Sequence, residues 1–400
     1  MSRFGPLTEP QFRLLFLGRA VSFLGNAVAP VALAFAVLDL TGSKSDLGLL
    51  LAARALPQVV FILVGGALSD RLPRHHVMVA SSIVSGLSQA SIALLLLTHH
   101  AQLWHLIVLS VVNGTSTAFF FPASSGVIPQ TVPRELLQQA NAVLRMALNA
   151  SSILGAALGG IAVAAVGAGW AIAFDGVTFL LGAVFIGAMS IRAAEREEMT
   201  TLLAELRDGW REFHGRTWLW AIVLQFSIVN AAQGGGLNVL GPVVARDSLG
   251  GAAAWGAILG AEAGGLLLGG LLALRFRPRR MLLVATFGIL LMPIVLVALA
   301  VPAPLPVVIG AAIVAGVGVE TFGILWDTTM QQEIPQKKLS RLYAYDMLGS
   351  IMFVPIGLAV AGPLAQTIGV RSTLWAGVAC IVAVSLAVLA VPDVRNLTRR

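Results

Sequence analysis

The sequence predicts an all-α membrane protein of twelve transmembrane helices arranged as two pseudo-symmetric six-helix halves. Three observations predict it: charge is sparse, long apolar runs recur along the whole chain, and Lys and Arg gather on one side of those runs. Of 400 residues, 57% are hydrophobic and only 11% are charged, with a mean hydropathy of +0.88; soluble globular chains carry about 25% charged residues. So few charges cannot cover a water-exposed surface, and the surrounding solvent is therefore lipid.

A helix needs about 20 mostly apolar residues to cross a bilayer. Cuts at Gly, Pro and charge clusters place such runs near 13–39, 47–69, 77–98, 103–122, 140–164 and 170–190. A second set follows near 217–245, 253–274, 281–301, 306–327, 342–365 and 371–391. The connections are short except for 123–139, 191–216 and 328–341. No ten-residue alternation typical of a membrane β-barrel occurs. The N-terminal MSRFGPLTEPQF lacks a short apolar core with a small-residue cleavage site, so no signal peptide is expected. Cys380 is the single cysteine and forms no internal disulfide.

The basic residues set the topology. With the N-terminus inside, the outer loops hold Lys44, Arg246 and Arg371, and Arg19, Arg54 and Arg145 lie in or near spans. The remaining Lys and Arg fall on the cytoplasmic side, so both termini are expected there, in a multi-pass inner-membrane protein. The net charge of +7 is then topological and calls for no nucleic acid. The halves also resemble each other. GGALSDRLPRHH recurs as GGLLALRFRPRR at an offset of 204 residues (65 to 269), and IPQTVPREL as IPQKKLSRL at 206 (128 to 334). A parallel repeat of six spans is the plan of many secondary transporters. It divides the chain into residues 1–190, a linker at 191–216 and residues 217–400. The linker reads as an amphipathic helix with a solvated charged face.

In the loop after the second span, Gly66, Asp70, Arg71 and Arg74 form a Gly-x-x-x-Asp-Arg run followed by Arg. This run resembles the loop motif of the major facilitator superfamily, and the twelve-span, two-half plan extends the resemblance over the whole chain. The resemblance implies that the loop acts as a conformational latch, with Asp70 near Ser340 and Arg341 at the start of span 11. Leu274 stands where the second copy would have its acid. A purely topogenic basic loop accounts for Arg71 and Arg74 as well. In span 5, LGAALGG with Gly155, Gly159 and Gly160 resembles the glycine-rich motif of drug–proton antiporters, although Ala156 replaces its proline. Ordinary small-residue packing is the other account. The Phe120, Phe121, Pro122, Ala123 run, ILWDTTMQQEIP and VPIGLAVAGPLA look like the macrolide-efflux and siderophore-exporter branch. That likeness favours export. Span 4 lacks the arginine that many antiporters of the superfamily carry there and has Asn113 instead.

Ionisable residues at membrane depth cost about 2.5–3.5 kcal/mol each on insertion scales and are functional candidates. Those here are Arg19, Arg54, Asp175, Glu262 and Glu320. Proton coupling needs a carboxyl whose surroundings alternate between dry and wet, and the candidates rank Glu262, Glu320, Asp175. A structural ion pair with an arginine is the competing account of each. Arg19 would contact an anionic substrate or neutralise a buried carboxylate, and the ion pair is the preferred of these two. Other candidate cavity residues are Asn26, Asn113, Phe119, Phe120, Gln225, Asn230, Gln233, Asn238 and Trp326. A largely apolar cavity with scattered amides suits amphipathic organic molecules.

His75–His76 and His99–His100 lack acid or thiol companions at ligand spacing, so no metal and no cofactor is expected. No Gly-x-x-x-x-Gly-Lys-Ser/Thr loop for ATP occurs. No catalytic cluster speaks for a membrane enzyme. The expected function is proton-coupled export of amphipathic small molecules by alternating access, with substrate, protons and bilayer as partners of a monomer. The alternative is a proton-coupled importer or a uniporter of one metabolite.

Overall fold

The computed structural model describes residues 5–133, 136–191, 209–273, 278–301, 303–334 and 336–397. Among the described residues the chain is helical almost throughout and contains no strand. Six long helices come first: α1 (Pro10–Thr41), α2 (Lys44–Arg71), α3 (Arg74–Leu97), α4 (Leu103–Val127), α5 (Leu137–Val166) and α6 (Ala168–Gly187). Next is α7 (Thr217–Gln233), which runs on through π-helical turns at Gly234–Leu240 and Ala245–Leu249. Then follow α8 (Ala252–Ala273), α9 (Met281–Ile289), α10 (Ile294–Ala300) and α11 (Leu305–Glu333). The series closes with α12 (Gln336–Ile351), α13 (Val354–Thr367) and α14 (Val370–Leu389).

Helix is the only open-chain element that satisfies its own backbone polar groups in hydrocarbon. Ten of the helical runs are long and apolar enough to cross a bilayer, and α2 with the continuous run over 217–249 completes the expected twelve. The expected spans fall in their places, with two changes of detail. Span 9 breaks between α9 and α10 at Pro293, which has no N–H to continue the ladder. Span 11 breaks between α12 and α13, and Pro355 occupies the first turn of α13, where no donor is needed. The connection expected at 328–341 is instead mostly helical, because α11 runs to Glu333 and α12 begins at Gln336. Of the linker, residues 192–208 lie outside the described set, and 209–214 are helical.

The chain forms two compact units, one of Met1–Glu195 with Ala245–Gly260 and one of Arg196–Val244 with Ala261–Arg400. In the first, α1 packs on α5 and α6, α3 on α4 and α6, and α2 on α4. In the second, α7 packs on α12, α13 and α14, and α9 on α11. The internal repeat leaves a trace in backbone geometry. Gly167, at φ 87°, is the single residue between α5 and α6, and Gly369, at φ 88°, directly precedes α14. Both lie in the left-handed region that favours glycine, at an offset of 202 residues (167 to 369).

Small residues let helix backbones touch. Within the first unit, a Cβ added at Gly160 of α5 would stand 2.5 Å from the Ala252 carbonyl oxygen and 2.9 Å from the Cα of Gly256 in α8. Gly155 and Gly159, on the same helix, meet Ala27 and Val28 of α1. A Cβ at Gly264 would meet nothing within 4 Å. Gly160→Val is therefore expected to lower stability by roughly 1–3 kcal/mol through overpacking. Gly264→Ala should be neutral or stabilise by up to about 1 kcal/mol. Thermal unfolding of the purified variants in detergent checks both.

Candidate functional site

The polar residues of the first unit converge from four helices. Asp175 of α6 is 0% exposed and Gln89 of α3 is 2% exposed. The Gln89 Nε2 donates to Asp175 Oδ2 at 2.5 Å. The charge of Arg54, on α2, acts on Asp175 without direct ion-pair contact. Arg54 Nη2 donates to Asn26 Oδ1 of α1 at 3.2 Å. Two glycines make this convergence possible. A Cβ at Gly25 would lie 2.8 Å from Asp175 Oδ1, so α1 can pass the carboxylate only without a side chain there. Gly114 of α4 sits against the backbone carbonyl of Arg54. Beside it, Asn113 is 1% exposed and, among the described residues, neither atom of its amide has a hydrogen-bond partner, nor has Asp175 Oδ1.

Arg19 lies further along α1. Its Cζ stands 5.0 Å from the centroid of the Phe23 ring, and its buried Nε has no acceptor. No acidic side chain among the described residues pairs with it. The ion pair expected for Arg19 is thus not formed there. Asp175, the acid nearest in kind, is engaged by Gln89 and lies under the charge of Arg54.

In the second unit the helix contacts bring a different set together. Trp326 Nε1 of α11 donates to Asp346 Oδ2 of α12 at 3.0 Å, and Ser350 Oγ donates to Asp346 Oδ1 at 3.3 Å. Asn230 Nδ2 of α7 donates to the Ser350 carbonyl at 3.0 Å. The Tyr343 hydroxyl donates to Asp327 Oδ1 at 3.2 Å. Aromatic rings line up beside this group. Phe226 stacks on Phe322 at 4.6 Å, Phe322 on Trp326 at 6.1 Å, and Trp218 meets Trp326 edge-on at 5.8 Å. Asn230 and Trp326, chosen separately as cavity residues, are therefore joined through Ser350 and Asp346.

The other expected residues stand apart. Gln225 is 0% exposed and donates to Ser385 Oγ at 3.0 Å. Gln233 is 8% exposed, with both amide atoms unpaired, directly before the π-helical turn at Gly234–Leu240. Phe119 stacks on Phe61 at 6.3 Å. Glu262 is half-buried on α8, its backbone carbonyl tight against Gly316 of α11, and no described side chain pairs with its carboxylate. Glu320 lies on α11 with its Cβ against Gly269 of α8. Gly66, Asp70 and Arg71 close α2 and Arg341 lies in α12, but their side chains fall outside the described residues; Arg74 opens α3 and is half-buried. Gly155, Gly159 and Gly160 face α1 and the start of α8 as packing surfaces.

Two residues escaped the sequence reading. Asp346 is not singled out by any motif, yet it sits in α12 and accepts from an indole N–H. Gln89 carried no signal of its own, although its neighbours Ser81, Ser82, Ser85 and Ser88 form a buried polar face on α3 that could have marked it.

A family model described as the Major Facilitator Superfamily matches residues 15–354. The multidrug efflux pump Tap of Mycolicibacterium fortuitum is 26% identical over 386 residues, covering 93% of this chain and 92% of that protein. Macrolide efflux protein A of Streptococcus pyogenes is 23% identical over 399 residues, 97% of each. Among solved structures, the nucleoside transporter NupG superposes with a TM-score of 0.76 at 12% identity, covering 95% of this chain and 98% of that one. A bacterial homolog of the human lysosomal transporter Spinster gives 0.72 at 16% identity, covering 96% of each.

Removing one member of a coupled buried charge pair leaves the other uncompensated. Asp175→Ala is expected to cost about 1–3 kcal/mol of stability, chiefly by leaving the buried Gln89 amide without its acceptor. The double variant with Arg54→Met should lose less than the two single losses together, as measured by thermal unfolding in a double-mutant cycle. Strict additivity would show that Arg54 and Asp175 are not coupled.

Proposed function

The chain belongs to the major facilitator superfamily, and on that premise we propose that this multi-pass membrane transporter exports amphipathic small molecules in exchange for protons. The observation that carries export is the full-length likeness to efflux pumps, Tap at 93% of this chain and macrolide efflux protein A at 97%. Amphipathic cargo is supported by the amides of Asn113 and Gln233, unpaired among the described residues, and by the aromatic file from Phe226 to Trp326. Few such groups set in an apolar wall orient a ligand without demanding a dense polar match.

Glu262 is the first carboxyl proposed to carry the proton. It lies in an apolar helix, half-buried, with no described partner to fix its charge. Asp175 is already held by Gln89 and sits under the charge of Arg54, which suits a structural role. Glu320 stays the second candidate. The two halves, 1–190 and 217–400, are proposed to alternate access to the cargo. The loop from Gly66 to Arg74 biases that equilibrium with Arg341, in a chain acting as a monomer with both termini cytoplasmic.

The test uses proteoliposomes with an imposed pH gradient and a panel of antibiotics, dyes and siderophores. Compound-dependent proton movement, with compound moving against the protons, is the expected result. Accumulation of a compound inside energised cells would point to an importer. Glu262→Gln is expected to lower compound-evoked proton movement about tenfold or more while leaving compound binding in place. Undiminished proton movement in that variant would pass the role to Glu320 or Asp175.

A further inference from the structure

Among the described residues no acidic side chain neutralises the charge of Arg19. At membrane depth a charge is retained only where something compensates it. A guanidinium stays protonated at physiological pH, so Arg19 cannot escape the cost by losing its proton. None of the described acids of the first unit pairs with Arg19: Asp46 lies in the first turn of α2 and Asp247 in the π-helical turn at Ala245–Leu249. Asp175 accepts from Gln89 and lies under the charge of Arg54. Asp39 stands beside Arg246 at 3.7 Å, where Arg246 also caps the Leu38 carbonyl at the end of α1. Glu9 precedes Arg19 by ten residues, about 15 Å along the helix axis.

The surroundings of Arg19 say what would compensate it. Arg19, Phe23 and Asn26 follow one another at spacings of four and three and therefore share a face of α1. Asn26 is exposed, and Arg19 and Phe23 are half-buried, whereas Ser22, Gly25 and Ala29, along the adjoining flank of α1, are buried. An amide that both lies open and accepts from a guanidinium is better placed against water than against lipid, because such groups avoid hydrocarbon. On this face Arg19 offers a planar fork of donors, which matches a carboxylate in a bidentate manner. The Phe23 ring beside it offers an apolar surface.

We propose that Arg19 is a substrate-recognition residue that binds the carboxylate of an amphipathic organic acid, with the apolar body of the acid against Phe23. The proposal rests on the transporter reading above and narrows its cargo to anionic amphiphiles. Arg54 is the weaker choice of anchor, since its guanidinium already donates to Asn26.

Three probes with one naphthalene body separate the possibilities: 1-naphthaleneacetate, its amide, and (1-naphthylmethyl)trimethylammonium. Binding to the purified full chain is measured by calorimetry in nanodiscs of phosphatidylcholine, at constant ionic strength. The wild-type protein is expected to bind the acetate about tenfold or more tightly than the amide, the difference one charge-assisted contact can make. Arg19→Gln should remove that preference, and Arg19→Lys should keep part of it. Equal binding of acetate and amide by the wild type, tighter binding of the ammonium probe, or an acetate preference that survives Arg19→Gln would each overturn the proposal. Displacement of the acetate by added phosphatidylglycerol would assign Arg19 to a lipid headgroup and overturn it as well. The wild-type ranking needs no variant to fold. Gradient-driven movement of a cationic dye in the proteoliposome assay would overturn this assignment while leaving the transporter reading intact.

Discussion

Placing a charge in hydrocarbon is costly, and that cost decides where the few charges of this chain stand. Asp175 accepts from Gln89 on one oxygen and lies in the field of Arg54, which donates to Asn26. Asp346 is held by an indole and a hydroxyl, and Asp327 by a phenol. Arg246 is spent on the carbonyl end of α1. Arg19 and Glu262 are the membrane-depth groups without such fixed answers among the described residues. Their different charges suit different work, the cation toward an anionic cargo and the carboxyl toward a proton.

These placements are possible only because helices approach closely at chosen points. Gly25 makes room for the Asp175 carboxylate, and Gly114 lets α4 reach the backbone of α2 beside Arg54. The glycines of α5 do the same against α1 and α8. In lipid, the hydrophobic effect does not drive helices together, so packing of small residues carries much of the association. A stripe that looks like a functional signature therefore has a mechanical duty first. Gly155, Gly159 and Gly160 are all in contact with a neighbouring helix.

The aromatic file in the second unit follows the same economy. Phe226, Phe322 and Trp326 come from two helices and stack nearly parallel. The indole at one end supplies the N–H that a buried carboxylate requires. Rings and carboxylate thereby position each other. Asp346 takes one donor from its own helix, Ser350, and one from α11, Trp326.

The fold was legible in the sequence because its cause is local. Each span is long and apolar by itself, each turn is marked by glycine, proline or charge, and the repeat recurs at offsets near 204 residues (65 to 269). The breaks in spans 9 and 11 follow from prolines that the sequence displays but whose effect depends on neighbours. The individual ionisable residues were legible too, since any acid or arginine in an apolar run stands out. Their partners were not. Nothing in the chain order ties Gln89 to Asp175, Asn26 to Arg54 or Trp326 to Asp346, because those bonds join different helices. Nor could spacing reveal that Arg19 finds no described acid, for that depends on which faces of α1 and α6 meet. Sequence determined which groups must be compensated; only the packing of helices decided which of them compensate one another.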